Sequence, residues 1–339
     1  MSHDAIALEV RQLCARFALP NGQIHAVTDV ALQVRRGETL ALVGESGSGK
    51  SVTSLSLMRL LGSRAELAGE AWVHTDEGAP VDLLSLDEKQ MLRLRGNRIS
   101  MVFQEPMTSL NPVQRIGHQV EEALTVHGIC KRGEARARAV ELLGKVGISD
   151  PASRARQYPH QLSGGMRQRV MIAIALACEP TVLLADEPTT ALDVTVQAQI
   201  LHLIRKLQRE AGMAVVFITH DMGVVAQIAD RVAVMYGGQI VETAPTVELF
   251  ASSKHPYTRA LLDSIPRPSE GGTLRGIAGQ IEAIVGAPTG CRFANRCPRV
   301  EARCSVEVPQ ETRVNDVHSV RCHFWNQANE NANDRAGML

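Results

Sequence analysis

A chain of 339 residues with 36 Lys plus Arg against 36 Asp plus Glu is formally neutral, so its bulk charge gives no reason to expect nucleic acid as the main partner. This length suits a main domain and a smaller one, because single cores stop growing at roughly 250 to 300 residues. The start has no basic segment leading into an apolar core, and no run approaches the roughly 18 apolar residues of a spanning helix. The expectation is a cytoplasmic protein whose membrane role comes through partners.

Ile6, Leu8 and Val10 alternate on one face, Val30 to Val34 is mostly apolar, and Pro20-Asn21-Gly22 makes a hairpin-like break between them. The apolar run Thr39 to Val43 leads into Gly44-Glu45-Ser46-Gly47-Ser48-Gly49-Lys50-Ser51. Val52, Leu55, Met58 and Leu61 then recur at helical spacing, predicting a helix that buries that face and ends near Gly62. Glu66 to Pro80 reads as polar and turn-rich, and Ile99 to Phe103 as a short buried run delivering Gln104. Gln119 to Gly147 has a charged helical pattern and predicts a helical subdomain. Thr181 to Ala185 and Ala214 to Ile218 read as buried parallel strands. They end in Asp186-Glu187 and Thr219-His220-Asp221, at the carboxyl strand ends where open α/β sheets bind ligands. Val232 to Tyr236 and Gln239 to Thr243 flank Gly237-Gly238 as a hairpin. The composition changes near Lys254: His255-Pro256-Tyr257 opens a short helical segment, a proline- and glycine-rich stretch runs from Pro266 to Gly290, and the polar tail from Asn326 to Leu339 reads as disordered.

A glycine-rich turn between a buried strand and a helix start lets backbone N–H groups converge on phosphate oxygens, helped by the helix dipole. Gly47 and Gly49 permit close approach, Lys50 adds a point charge for the β- and γ-phosphates, and the Ser51 hydroxyl is the expected Mg²⁺ ligand. Asp186 and Glu187 at a strand end can be an ordinary solvated edge; with the P-loop upstream they read as two carboxylates that divide two tasks, the first holding Mg²⁺ through water and the second lying near the attacking water. Leu162-Ser163-Gly164-Gly165-Met166-Arg167-Gln168 opens a second helix. Ser163 can cap it, and its hydroxyl with the glycine amides makes another phosphate site; as an ordinary cap, the string would give Gly165 no special purpose.

These motifs, in this order over residues 1 to 250, resemble the ATP-binding subunit of an ABC transporter. The resemblance covers the Walker A GESGSGKS, a Q-loop at Gln104, the signature LSGGMRQ, the Walker B VLLADE, a D-loop at Ala191-Leu192-Asp193 and the switch His220. It implies an α/β fold: an ABC-type P-loop ATPase core with a mostly parallel sheet, an N-terminal antiparallel β subdomain and an α-helical signature subdomain over about 105–178, followed by a small Cys-rich C-terminal extension. The ATPase domain would span 1–253, the extension 254–325, and a disordered tail 326–339. In that family ATP on one P-loop is closed by the signature of a second subunit. The resemblance makes Glu187 the group that polarises water, His220 the γ-phosphate contact, and Gln104 the sensor of Mg²⁺ and the membrane subunit. Asp193 then crosses the dimer interface, and Phe17, the only aromatic residue before the P-loop, stacks on adenine.

Phe103 to Pro112, Tyr158-Pro159-His160-Gln161 and His255-Pro256-Tyr257-Thr258 are similar to importers of dipeptides and oligopeptides. Nickel importers and an accessory ATPase of phosphonate-degrading complexes share the pattern. The implied partners are a second ATPase subunit, with a paralogue favoured, two transmembrane permease subunits and a solute-binding protein at the cytoplasmic face of the inner membrane. Seven cysteines include four, Cys291, Cys297, Cys304 and Cys322, crowded near the C-terminus. Because the cytosol keeps thiols reduced, these suggest a metal or cluster rather than disulfides. Some peptide-importer subunits carry [4Fe-4S] on such thiolates, the favoured reading, while the spacing alone also suits tetrahedral zinc. Cys14, Cys130 and Cys178 stand singly and read as core.

Overall fold

The computed structural model of the chain describes residues 5–20, 22–75, 78–105, 109–265, 277, 279–281, 285–286 and 289–326. Most of the stretch from Pro266 to Gly290, and the tail beyond Asn326 for which disorder is expected, lie outside them. The chain forms two compact units. One comprises Met1–Leu8, Val34–Gly37 and Trp72–Phe217, the other Glu9–Gln33, Glu38–Ala71 and Ile218–Leu339.

In the first unit β6 (Ile99–Val102) and β7 (Val182–Asp186) pair in parallel, Ile99 opposite Val182 and Val102 opposite Ala185. β8 (Ala214–Thr219) lies next to β7. Every residue of the three strands is buried, as their continuous apolar runs require. The single helical pattern expected from Gln119 to Gly147 is two helices, α3 (Ile116–Val126) and α4 (Arg132–Lys145). They are parted near Gly128, whose φ of 67° takes the chain out of helical conformation. Both pack against α6 (Gly164–Ala175). A helix the apolar pattern does not announce, α2 (Glu88–Leu94), starts at a capping box in which Asp87 accepts from the Gln90 N–H and Gln90 returns a bond to Asp87. α7 (Val194–Ala211) buries Ile200, Leu201, Leu203 and Ile204 and stops at Gly212, φ 61°.

The second unit holds most of β1 (Ile6–Leu19), β2 (Gly22–Arg35) and β4 (Ala65–Val73), in the order β2-β1-β4. The first two run for 14 residues each, well beyond their apolar cores. β4 overturns the turn-rich reading from Glu66 to Val73, while 78–80 lie outside any strand. Glu66, Ala68, Gly69 and Glu70 are exposed, and a strand with one wet face tolerates such residues. At Gly69, φ 102°, a Cβ would come within 2.7 Å of the Arg11 carbonyl on β1, so glycine there marks a close approach rather than a turn.

β3 (Thr39–Val43) runs parallel to β9 (Arg231–Tyr236), and β10 (Gln239–Pro245) returns antiparallel through Gly237 and Gly238 at φ 52° and 81°, the two positive values a tight primed hairpin turn requires. β12 (Ser319–Val320) adds to β10, and β11 (Thr312–Arg313) to β12. α1 (Lys50–Leu57) ends four residues before Leu61 and buries the expected face only in part: Met58, just past its end, is buried with Thr53, Ser54, Ser56 and Leu57, whereas Val52, Leu55 and Leu61 are only half-buried. Hydroxyls can occupy that face because each bonds back to its own helix, Thr53 to the Gly49 carbonyl, Ser54 to Ser51 and Ser56 to Val52. α9 (Thr246–Ser252), α10 (Pro256–Asp263) and the 291–297 segment share one core built on Tyr236, Phe250, Tyr257 and Phe293, with Cys291 and Cys297 packed against it. Among the described residues no helix is long and apolar enough to cross a membrane.

Candidate nucleotide site

In the second unit, buried β3 delivers Gly44, where a Cβ would collide with the Met235 carbonyl. Gly49, φ 104°, is equally confined, with a Cβ meeting the Ala26 carbonyl at 2.8 Å and Met235 Cε at 2.9 Å. Gly47, φ 79°, has open space around it and is needed for backbone conformation alone. Lys50 is 5% exposed. Its ammonium donates to the Gly44 carbonyl at 2.8 Å, the Glu45 carbonyl at 2.9 Å and Ser48 Oγ at 3.4 Å, which sets a positive charge inside the loop. Ser51 lies in the first turn of α1, where no acidic residue offsets the positive helix end. From behind, the Gly238 N–H donates to the Ser48 carbonyl at 2.7 Å. Glu45 is half-buried and Ser46 is exposed. Tyr257 Oη accepts the Glu45 N–H at 2.8 Å, and Arg296 pairs with the Glu45 carboxylate at 2.7 Å. His220 is exposed just beyond β8, ahead of Asp221, which caps α8 (Met222–Ile228) through the N–H groups of Gly223 and Val224. Phe17 is half-buried on β1.

In the first unit Asp186 closes β7, 4% exposed. Glu187 follows at φ 45°, a left-handed conformation uncommon for a residue with a side chain. One oxygen of its carboxylate, Oε2, accepts from Gln104 Nε2 at 3.1 Å and from Thr190 Oγ1 at 2.8 Å. Gln104 and Glu187 are thus brought together although 83 residues apart. Ser163 caps α6, its Oγ accepting the Met166 N–H at 3.4 Å. Ser163 and Gly164 are exposed at that helix start. Gly165 has a packing purpose after all: a Cβ there would meet Val196 Cγ1 at 2.6 Å. Asp193 is exposed and caps α7 through the Val196 N–H at 2.9 Å. Thr190 and Arg296 carried no site signal in the sequence, and Tyr257 stood out only within the His255-Pro256-Tyr257-Thr258 string, with nothing to place it at the P-loop, because partners at distant positions form no local pattern.

Cys291, Cys297, Cys304 and Cys322 line one cavity of about 20 Å³, with His255, Phe293 and His323. Burial, then the neighbouring thiols, push Cys291 up to about 11; burial likewise raises Cys297 and Cys322. Burial pushes His255 down to about 4, and its Nδ1 accepts the Tyr257 N–H at 3.1 Å. The donor set is soft and convergent, as iron-sulfur clusters and zinc require. Among the described residues, however, no three His, Cys, Asp or Glu side chains are drawn into a group able to hold an ion, so the thiols share a cavity without ligating geometry. Of the three single cysteines expected in the core, only Cys178 is buried, donating to the Ala123 carbonyl at 3.6 Å; Cys14, which accepts the Asp29 N–H at 3.4 Å, and Cys130 are only half-buried.

A phosphate-binding loop on a parallel strand, an Asp-Glu pair at the end of another, and a capped glycine-opened helix define a cassette-type P-loop ATPase. The ABC transporter family matches residues 27–190, and the C-terminal region of oligopeptide/dipeptide transporters matches 241–304. A Brucella melitensis protein is 53% identical over 336 residues, 96% of this chain and 99% of its own. The oligopeptide transport ATP-binding protein AppD of Bacillus subtilis is 48% identical over 94% of this chain and 97% of its own. The dipeptide transport ATP-binding protein DppD of Escherichia coli is 44% identical over 94% and 96%. An ATP-binding cassette solved as a dimer in a post-hydrolysis state with ADP and Pi superposes with a TM-score of 0.62 at 30% identity, over 70% of this chain and 98% of that one. The chain belongs to the ABC transporter family, among the ATP-binding proteins of oligopeptide and dipeptide transporters.

Proposed function

We propose that this chain is the ATP-hydrolysing subunit of a peptide importer, working at the cytoplasmic face of the inner membrane through two permease subunits and a second ATPase subunit, with a solute-binding protein delivering cargo. The observation that carries the hydrolytic reading is the shared oxygen of Glu187. Two donors hold one carboxylate oxygen, which fixes the orientation of the carboxylate that polarises the attacking water. Gly44 to Ser51 wrap the phosphates of ATP, with Lys50 supplying charge to the β- and γ-phosphates. Ser51, Gln104 and Asp186 serve Mg²⁺, whose contribution is charge neutralisation on the transferred phosphoryl group. His220 contacts the γ-phosphate, and Phe17 stacks on adenine. Ser163, Gly164 and Gly165 donate to the ATP held by the partner's loop, and Asp193 crosses to it. The ATPase spans 1–253, with its helical part at about 105–178, and the extension spans 254–325.

Cys291, Cys297, Cys304 and Cys322 are the residues to hold [4Fe-4S], with zinc as the alternative. Support comes from the single cavity they line. A bound cation offsets the burial that keeps these thiols protonated and cross-links a segment with little core of its own. Iron, sulfide and zinc analysis with a visible spectrum of anaerobically purified protein decides between them.

The import reading is tested on the assembled transporter. Peptide-loaded solute-binding protein is expected to raise ATP turnover severalfold over the unloaded protein. Stimulation by a nickel-loaded binding protein, with none by peptides, overturns the assignment.

A further inference from the structure

The P-loop carries a carboxylate, Glu45, beside the place where a polyphosphate binds in the reading above. An uncompensated anion there opposes ATP. Its compensation comes from 251 residues away, where both Arg296 Nη atoms reach the two Glu45 oxygens at 2.7 and 3.1 Å. The Arg296 side chain is only 4% exposed, and that of Glu45 29%. The guanidinium is itself fixed, donating to the Ile277 carbonyl at 3.1 Å and to Tyr236 Oη at 3.3 Å, with its carbon 5.7 Å from the Tyr236 ring centre. Arg296 directly precedes Cys297.

Two further contacts tie the same segment to the same loop. The Glu45 N–H donates to Tyr257 Oη, and the Tyr257 ring packs 5.4 Å from Phe293. Arg292 donates to the Gly237 carbonyl, one residue before the N–H that holds Ser48. Residues 292 to 296, bounded by Cys291 and Cys297, therefore reach the loop at Glu45 and, through the hairpin, at Ser48.

We propose that Arg296 is a positioning residue for ATP, neutralising and pinning Glu45 so that the order of the cysteine-bearing segment sets nucleotide affinity. The inference rests on the ATP-binding reading of the loop. Removing the arginine leaves a half-buried carboxylate unpaired against the phosphates, which is worse than removing both partners. The predicted pattern is therefore asymmetric: Arg296→Gln weakens binding of a fluorescent ATP analogue to the full chain by about tenfold. Arg296→Lys, which keeps the charge without the fork, falls between. The double variant Glu45→Gln/Arg296→Gln returns to within about threefold of the unaltered protein.

In the assembled transporter, Arg296→Gln raises the KM for ATP while kcat at saturation stays within about twofold. Cys297→Ser is expected to weaken nucleotide binding in the unaltered background and to add nothing in Arg296→Gln. An unchanged affinity in Arg296→Gln, or a double variant no tighter than that single one, overturns the proposal. Additive losses for Cys297→Ser and Arg296→Gln overturn the coupling to the cysteine segment. Failure of the unaltered chain to bind the analogue would instead remove the ATP reading itself.

Discussion

Glu187 combines a strained backbone with a tethered side chain. Its left-handed φ of 45° costs on the order of 1 to 3 kcal/mol, and such a conformation persists only where neighbours over-determine it; Gln104 and Thr190 do so here. Replacing it with glutamine retains the shape and removes the proposed base, so Glu187→Gln is expected to lower turnover by roughly 10² to 10⁴ fold while ATP remains bound. Single-turnover assays with labelled ATP check this, and equal turnover removes the assignment. The P-loop glycines separate by geometry. Gly49→Ala puts a Cβ 2.8 Å from the Ala26 carbonyl, whereas Gly47→Ala meets no atom within 4 Å. Gly49→Ala is expected to abolish nucleotide binding, and Gly47→Ala to cost only the roughly 1 to 2 kcal/mol of left-handed strain, read by analogue titration; equal effects would refute the distinction. The loop, Asp186-Glu187 and the string at Ser163 were legible because each is contiguous and chemically particular. Arg296 was not: its partner lies 251 residues away, and an arginine before a cysteine says nothing of where it points.

β10 is held to β12 by more than two strand pairs. His318 is fully buried between carboxylates, Nε2 2.8 Å from Glu242 and Nδ1 2.8 Å from Glu248. Asn315 also donates to Glu248, and the N–H groups of Lys254 and His255 donate to Glu242. Burial alone would lower the His318 pKa, but the hydrogen bonds its ring donates to the Glu242 and Glu248 carboxylates outweigh it and raise it above 6.5. For Glu248, burial raises the pKa and the bonds to His318 and Asn315 lower it, with a net fall below 4.5. A raised histidine contributes stability that is complete below its unfolded value and disappears as pH climbs through the folded one. A lowered carboxylate contributes above its unfolded value and loses that contribution as pH falls. The latch is therefore strongest at mildly acidic pH, above the ordinary carboxylate value of 4.5 and below the ordinary histidine value of 6.5, and weakens as the pH rises beyond that. Exchange of the Arg321 amide, which donates to the Val241 carbonyl at 2.8 Å, should quicken beyond its intrinsic rate as the pH rises above the ordinary histidine value of 6.5, and His318→Gln should flatten the difference. A difference that survives the substitution rules out this histidine as the cause. No sequence pattern announced this latch, since β12 is two residues long and draws its hold from side chains. Nor did periodicity find the whole buried face of α1, because its serines and threonine satisfy themselves locally. The fully buried strands, by contrast, were read correctly to within a residue or two.

At the scale of the molecule, one chain carries one phosphate loop and one glycine-opened helix. Ser163, Gly164 and Asp193 all face solvent at helix starts. α6 has no acidic residue in its first turn, so its dipole favours an anion at that end beside the N–H that Ser163 caps. In the proposed mechanism a second subunit brings the phosphates to that site, and binding and turnover become separable within a single chain. Ser163→Arg should leave affinity for ATP at its own loop within about twofold, because Gly44, Glu45 and Gly238 hold Lys50 and Ser48 there, yet lower turnover by roughly 10² to 10³ fold, the usual effect of losing a preorganised donor to the transition state. Dilution supplies the complementary readout. Association falls with concentration while ATP binding to the open loop does not, so specific activity of the isolated chain should decline on dilution whether its partner is a copy or a paralogue carried through purification. If specific activity stays constant down to nanomolar protein and Ser163→Arg turns over normally, the second lid is unnecessary and hydrolysis belongs to the lone subunit.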